Sequence, residues 1–117
     1  MPLPALAAEA SDIRVPVIGV LTQPTPGSTV DIDLATGAKV YKWTAGEDET
    51  VNASGKQLAG MRVVCVITSD ASIRTITFGT GFKATATFAT TASKTGTVSF
   101  ISDGTSLWET GRSEAIT

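Results

Sequence analysis

The chain has 117 residues, 42% of them hydrophobic, which is enough for one domain with a core but leaves no room for a second. Nine Lys and Arg are scattered against eleven Asp and Glu for a net charge of −2, so no basic stripe is present to displace counterions from nucleic acid. There is no histidine, which removes the usual general base, the usual zinc ligand and every Ser–His or Cys–His nucleophile pair.

Residues 1–27 read as an arm and linker. Met1 to Ala10 ends in small residues like a signal peptide, but it lacks a basic start, is interrupted by Pro2 and Pro4, and is short of a normal apolar region. No run approaches the roughly 18 apolar residues that span a bilayer, so no membrane segment is expected. Ser11 to Leu21 is extended and apolar, and Pro16 denies it a ladder donor, which suits an edge strand or a strap laid on another surface. Thr22 to Gly27 is stiffened by Pro24 and Pro26. All five prolines fall in this arm, and that boundary favours a tether that docks on a neighbouring subunit. Its docking side chains would be Leu3, Leu6, Ile13, Val15, Val17, Ile18 and Val20.

Residues 28–117 read as a run of short strands. Thr29 to Leu34 alternates strictly, with Val30, Ile32 and Leu34 on one face and Asp31 and Asp33 on the other. Ala38 to Trp43 follows, with Val40 out of phase with Tyr41 and Trp43, and Ala45 to Glu49 makes an acidic turn before a short strand at Thr50 to Ala53. The run Met61 to Thr68 is apolar on both faces: Met61, Val63, Cys65 and Ile67 on one, Val64 and Val66 on the other. Such a strand is covered on both sides, at the centre of the sandwich or at a subunit contact, and the centre of the sandwich is expected. Turn chemistry at Ser69 to Ser72 leads to a strand at Ile73 to Phe78, Gly79 to Gly81 breaks it, and Lys83 to Phe88 alternates again. Lys94 to Ile101 then pairs through Asp103-Gly104 with Ser106 to Glu109, the strongest local hairpin signal in the chain. Seven to nine evenly spaced strands with no helical periodicity give an all-β fold, a β-sandwich or jelly-roll-like domain carrying an extended proline-rich N-terminal arm. Few edge charges guard it, so closure against copies of itself is expected.

The candidate sites are modest. Asp31, Asp33, Glu47, Asp48 and Glu49 could offer oxygen to calcium, but the spacing of a calcium loop is absent and the solvated side of a strand explains them. Gly79-Thr80-Gly81 lacks the Lys and the helix of a phosphate loop. Cys65 reads as a core residue. Tyr41, Trp43 and Trp108 could stack on sugar or line an interface, although aromatics plugging the ends of the core are the commoner case. No catalytic residue, cofactor or metal is expected.

From Thr29 to Arg112 the chain resembles a β module recurrent in virion proteins of tailed bacteriophages. The resemblance is carried by Val30 to Leu34, by Asp70 through Ile76-Thr77-Phe78-Gly79, and above all by Val98 to Glu109 with Arg112 after it. Such modules occur on head fibres, tail fibres and capsid decoration (cement) proteins and typically form trimers. The resemblance implies a homotrimer on the capsid exterior, bound to the major capsid protein. The chain's shortness, with no collagen-like or coiled-coil shaft, favours a decoration protein over a whole tail fibre.

Overall fold

The computed structural model describes residues 21–22, 24, 26–36 and 39–116. It contains strands β1 (Leu21–Thr22), β2 (Thr29–Asp33), β3 (Val40–Ala45), β4 (Glu49–Ser54), β5 (Arg62–Ser69), β6 (Arg74–Phe78), β7 (Phe82–Lys83), β8 (Phe88–Thr90), β9 (Thr95–Ser102) and β10 (Leu107–Ile116), with one 3-10 turn at Leu34–Thr36. They form a six-stranded sheet in the order β1-β3-β5-β9-β10-β7 and a four-stranded sheet in the order β2-β4-β6-β8. The fold is all-β, with two sheets enclosing one core.

Alternation of side chains explains why the two sheets pack. Val30 and Ile32 of β2, Tyr41 and Trp43 of β3, Val63, Cys65 and Ile67 of β5, and Val98 and Phe100 of β9 all point inward and are buried. The alternation expected for β2, β3 and β5 is the alternation found. Phe78, Phe82 and Phe100 close one end of the core with ring centroids 4.8–5.1 Å apart in tilted and edge-on contacts.

The connectivity departs from a jelly roll. Successive strands from β1 to β6 alternate between the sheets, and their in-sheet neighbours run parallel: Leu21 beside Val40, Val40 beside Val64, Thr29 beside Thr50, and Glu49 beside Ile76. The chain is therefore wound like a flattened solenoid, where the strand of the opposite sheet serves as the crossover that parallel neighbours require. Antiparallel pairing enters only with β8 on β6, β9 on β5 and β10 on β9. Period-two alternation is the same in parallel and antiparallel ladders, so the strand pattern alone could not separate the two.

Three expectations need restating. The run Met61 to Thr68 does hold the centre of a sheet, as β5 between β3 and β9, but only one of its faces lies in the core. Val64 and Val66 are half-buried on the outer face. The stretch Lys83 to Phe88 is not one strand: β7 ends at Lys83 and β8 begins at Phe88. The last strand does not stop at Glu109 but runs to Ile116, because a bulge between Glu109 and Gly111 lets the ladder resume.

The boundary expected after residue 27 falls between β1 and β2. Leu21–Thr22 already pairs with β3, and Pro24 is buried, so this part of the arm belongs to the module. The docking residues Leu3, Leu6, Ile13, Val15, Val17, Ile18 and Val20 lie outside the described residues.

Candidate functional site

Of the three aromatics singled out from sequence, two are interior. Tyr41 is 0% exposed, and its hydroxyl donates to the Asp33 carbonyl at 3.0 Å, tying the two sheets together. Trp43 is buried beside it, and its Nε1 donates to Glu49 Oε1 at 2.8 Å. Trp108 is different: it is 49% exposed on the outer face of β10. The three therefore share no platform, and of them Trp108 alone lies at the surface.

The sequence builds a rigid mount for this indole. Between β9 and β10, Asp103 Oδ1 accepts from the Thr105 and Ser106 backbone amides, each at 2.8 Å, and Gly104 takes the positive φ of 97° that the turn needs. Asp103 Oδ2 accepts from Trp108 Nε1 at 2.8 Å. The backbone amide of Ser106, the indole and the Thr105 amide hold the Asp103 carboxyl down at about 2, so it is charged throughout the physiological range. The loop that follows β4 packs onto the same turn: Gly60 N donates to Ser102 O at 2.8 Å, and the Ser102 hydroxyl donates to Gln57 Oε1 at 2.9 Å. That loop carries Leu58, 57% exposed.

Trp108, Leu58 and the Asp103 turn thus occupy one pole of the module, where β5 and β10 begin and β9 ends. Arg62 lies in the same row as Ile101 and Trp108, and Lys83 pairs with Trp108 on its other side. Both cations are exposed. β1 runs away from this pole, so its first residue, Leu21, is the one nearer to it.

Two further clusters escaped the sequence reading. Past Trp108 no strand pairs with the outer edge of β10 among the described residues, and side chains there stitch it to the segment after β7. Arg112 donates from Nε and Nη2 to both oxygens of Glu109 at 2.8 and 2.7 Å, and from Nη1 and Nη2 to the carbonyls of Thr87 and Ala86 at 2.8 and 2.9 Å. Glu109 Oε1 accepts from the Thr85 amide at 3.1 Å, and Glu114 Oε2 from the Ala89 amide at 3.0 Å. The guanidinium also sits 5.5 Å above the centre of the Phe88 ring. Arg112, first among the causes, draws the Glu109 carboxyl down to about 2. In effect one arginine replaces the missing ladder, which a sequence reading could suspect only from Glu109, Arg112 and Glu114 lying so close together.

The second cluster is Glu49. It was expected in the acidic turn with Glu47 and Asp48, but it begins β4 and is 3% exposed. Burial pushes its carboxyl up, against the hydrogen bond from Trp43. Its Oε2 has no hydrogen-bond partner among the described residues. Asp31 accepts from the Ser54 hydroxyl, and Asp33 from the Ala35 amide, so the acids weighed for calcium and set aside are dispersed over a strand, a turn and the core. Among the described residues no three His, Cys, Asp or Glu gather as metal ligands, and no helix is long and apolar enough to cross a membrane.

Neither a scan of protein-family models nor a search of curated proteins finds a match to this chain.

Proposed function

We propose that this protein is a structural component of a bacteriophage virion, a trimeric capsid decoration protein that binds the major capsid protein on the capsid exterior and stabilises the shell. It acts by adhesion and carries out no reaction. The observation that supports this reading best is the pole where Leu58 and Trp108 are exposed, because the arm joins the module at Leu21, near the same pole. An apolar sequence that enters the module near a pole exposing Trp108 and Leu58 suits a subunit that sits on a surface and straps itself down.

The energetics suit additive contacts. Each apolar side chain of the arm that leaves water contributes about 25 cal/mol per Å². Three arms linked through one trimer bind successively at high effective concentration, so weak single contacts sum to stable attachment. Deleting residues 1–20 should abolish binding to purified capsids in co-sedimentation while leaving the module folded. Decoration at undiminished occupancy by the truncated protein would overturn the tether.

A second reading is a receptor- or carbohydrate-binding module of a head or tail fibre. Its support is the Trp108 indole, exposed and held in one orientation by Asp103. Reproducible signals on a glycan array that vanish in Trp108→Ala would favour it over the capsid reading.

A further inference from the structure

On the four-stranded sheet the parallel winding begins at β2, and among the described residues no strand pairs with the outer edge of β2. Thr50 N donates to Ser28 O at 2.9 Å, so the peptide groups of Ser28 and, by alternation, those of Val30 and Ile32 turn toward β4. The peptide groups of Thr29 and Asp31 turn the other way, to the open edge. Such an edge is a template for one more strand.

The turns of the winding shorten toward the N-terminus. Paired residues lie 27 apart in sequence from β4 to β6, 24 from β3 to β5, 21 from β2 to β4 and 19 from β1 to β3. A preceding turn of 17 residues sets Ile13, Val15 and Val17 beside Val30, Ile32 and Leu34, and Arg14 beside Asp31. A turn of 19 keeps the same phase but sets Asp12 against Asp31 and Ser11 against Val30, which like charge and a buried hydroxyl oppose. In parallel strands of one sheet, residues that face the same side aim their peptide groups the same way. Val30 and Ile32 aim theirs at β4, so Ile13 and Val15 would aim theirs at β2. Pro16 then turns its missing donor away from the ladder, as an edge strand permits.

We propose that the open edge of β2 is a docking site for a parallel strand, and that its occupant is residues 13–17 of the same chain, which lie outside the described residues. By the pattern of β2 on β4, Asp31 N donates to Ile13 O and Val15 N donates to Asp31 O. Three residues, 18–20, then lead into β1, as many as join β3 to β4. So short a connection holds the segment beside its own edge at high effective concentration, which favours it over the arm of a neighbouring copy. Docking closes the edge of β2 to strands of other molecules. The inference goes beyond the capsid reading and does not depend on it, since Leu3 and Leu6 precede the docked segment and are left for a shell.

The test uses the full chain. Amide exchange followed by NMR should find the Asp31 amide at least a hundredfold slower than an unstructured one. Val15→Asp should release it while the amides of β5 and β9 stay protected. Arg14→Cys with Asp31→Cys should close a disulfide within one chain under mild oxidation, read on a non-reducing gel, because Cys65 is buried and does not compete. Ile13→Cys with Asp31→Cys places the thiols on opposite faces and should not close. An Asp31 amide that exchanges freely in the wild type overturns the docking site. A disulfide that joins two chains gives the edge to a neighbour's arm and overturns the occupant, and Asp12→Cys closing in place of Arg14→Cys overturns the register. Co-sedimentation with capsids reads the proposed function separately, so each can fail without the other.

Discussion

Replacing Arg112 with Ala removes the clasp that joins β10 to the segment after β7. The side chain of Arg112 is 19% exposed and that of Glu109 6%, so the variant leaves a nearly buried carboxylate without its cation, and leaves the Ala86 and Thr87 carbonyls without a donor. Charge-assisted hydrogen bonds contribute about 1.5–3 kcal/mol each, but these share one side chain and one edge open to solvent, so a loss of about 3 kcal/mol is expected. For a domain of this size that lowers Tm by roughly 12–20 °C.

The pH profile isolates the mechanism. The Glu109 carboxyl lies at about 2 in the folded protein against an ordinary 4.5. A depressed carboxylate stabilises the fold fully above its unfolded value, and the contribution fades as pH falls from about 4.5 toward 2. The full shift corresponds to at most about 3 kcal/mol, and screening at the open edge brings it to about 2. Urea titrations from pH 7 to pH 2.5 should therefore show wild type losing most of this increment and Arg112→Ala losing little. Arg112→Lys, which keeps the charge but not the fork, should fall between them. A loss below about 1 kcal/mol in Arg112→Ala, or a pH profile parallel to wild type, would refute the clasp.

Glu49 predicts the opposite pH trend. Its folded carboxyl is raised above 4.5, so its penalty appears as pH rises through that region, and Glu49→Gln should stabilise at pH 8 relative to pH 4 in thermal melts. An equal effect at both values would show that the carboxyl is not raised. Gly96 lies under the Phe88 ring and the Ser113 carbonyl, where an added Cβ would come within 2.8 Å of that oxygen, so Gly96→Ala should cost about 1–3 kcal/mol by denaturant titration. Wild-type stability in that variant would mean that β9 and β8 are not packed as described. Cys65 is fully buried with its thiol pushed up to about 12, so it should resist a thiol reagent at pH 8 until denaturant is added. Labelling at the rate of a free thiol in the native protein would contradict its place in the core.

How far the chain could be read follows from what side-chain alternation encodes. Val30 and Ile32 declare their inward face by phase alone, whereas Val63, Cys65 and Ile67 share an apolar run with Val64 and Val66, and which of its two faces meets the core is not written in the alternation. Which strand lies beside which is not encoded in that phase, so the parallel winding of β1 to β6 was illegible. Glu49 was misplaced because two acidic neighbours make it look like turn, whereas its position two residues before Val51 puts it on the inner face. The last strand was expected only as far as Glu109, but Gly111 accommodates a bulge after which the ladder resumes, and Arg112 of the clasp lies beyond it. Trp108 was legible as a candidate but not its mount, since the bond to Asp103 depends on the turn that brings them together.

The proposed function is tested most directly by electron microscopy of phage particles assembled with this chain, the chain marked by a fused tag. Density for the marked module in trimeric clusters on the outer surface of the capsid is the predicted result. Particles that carry no trace of it would contradict the claim that this molecule works by holding a shell together.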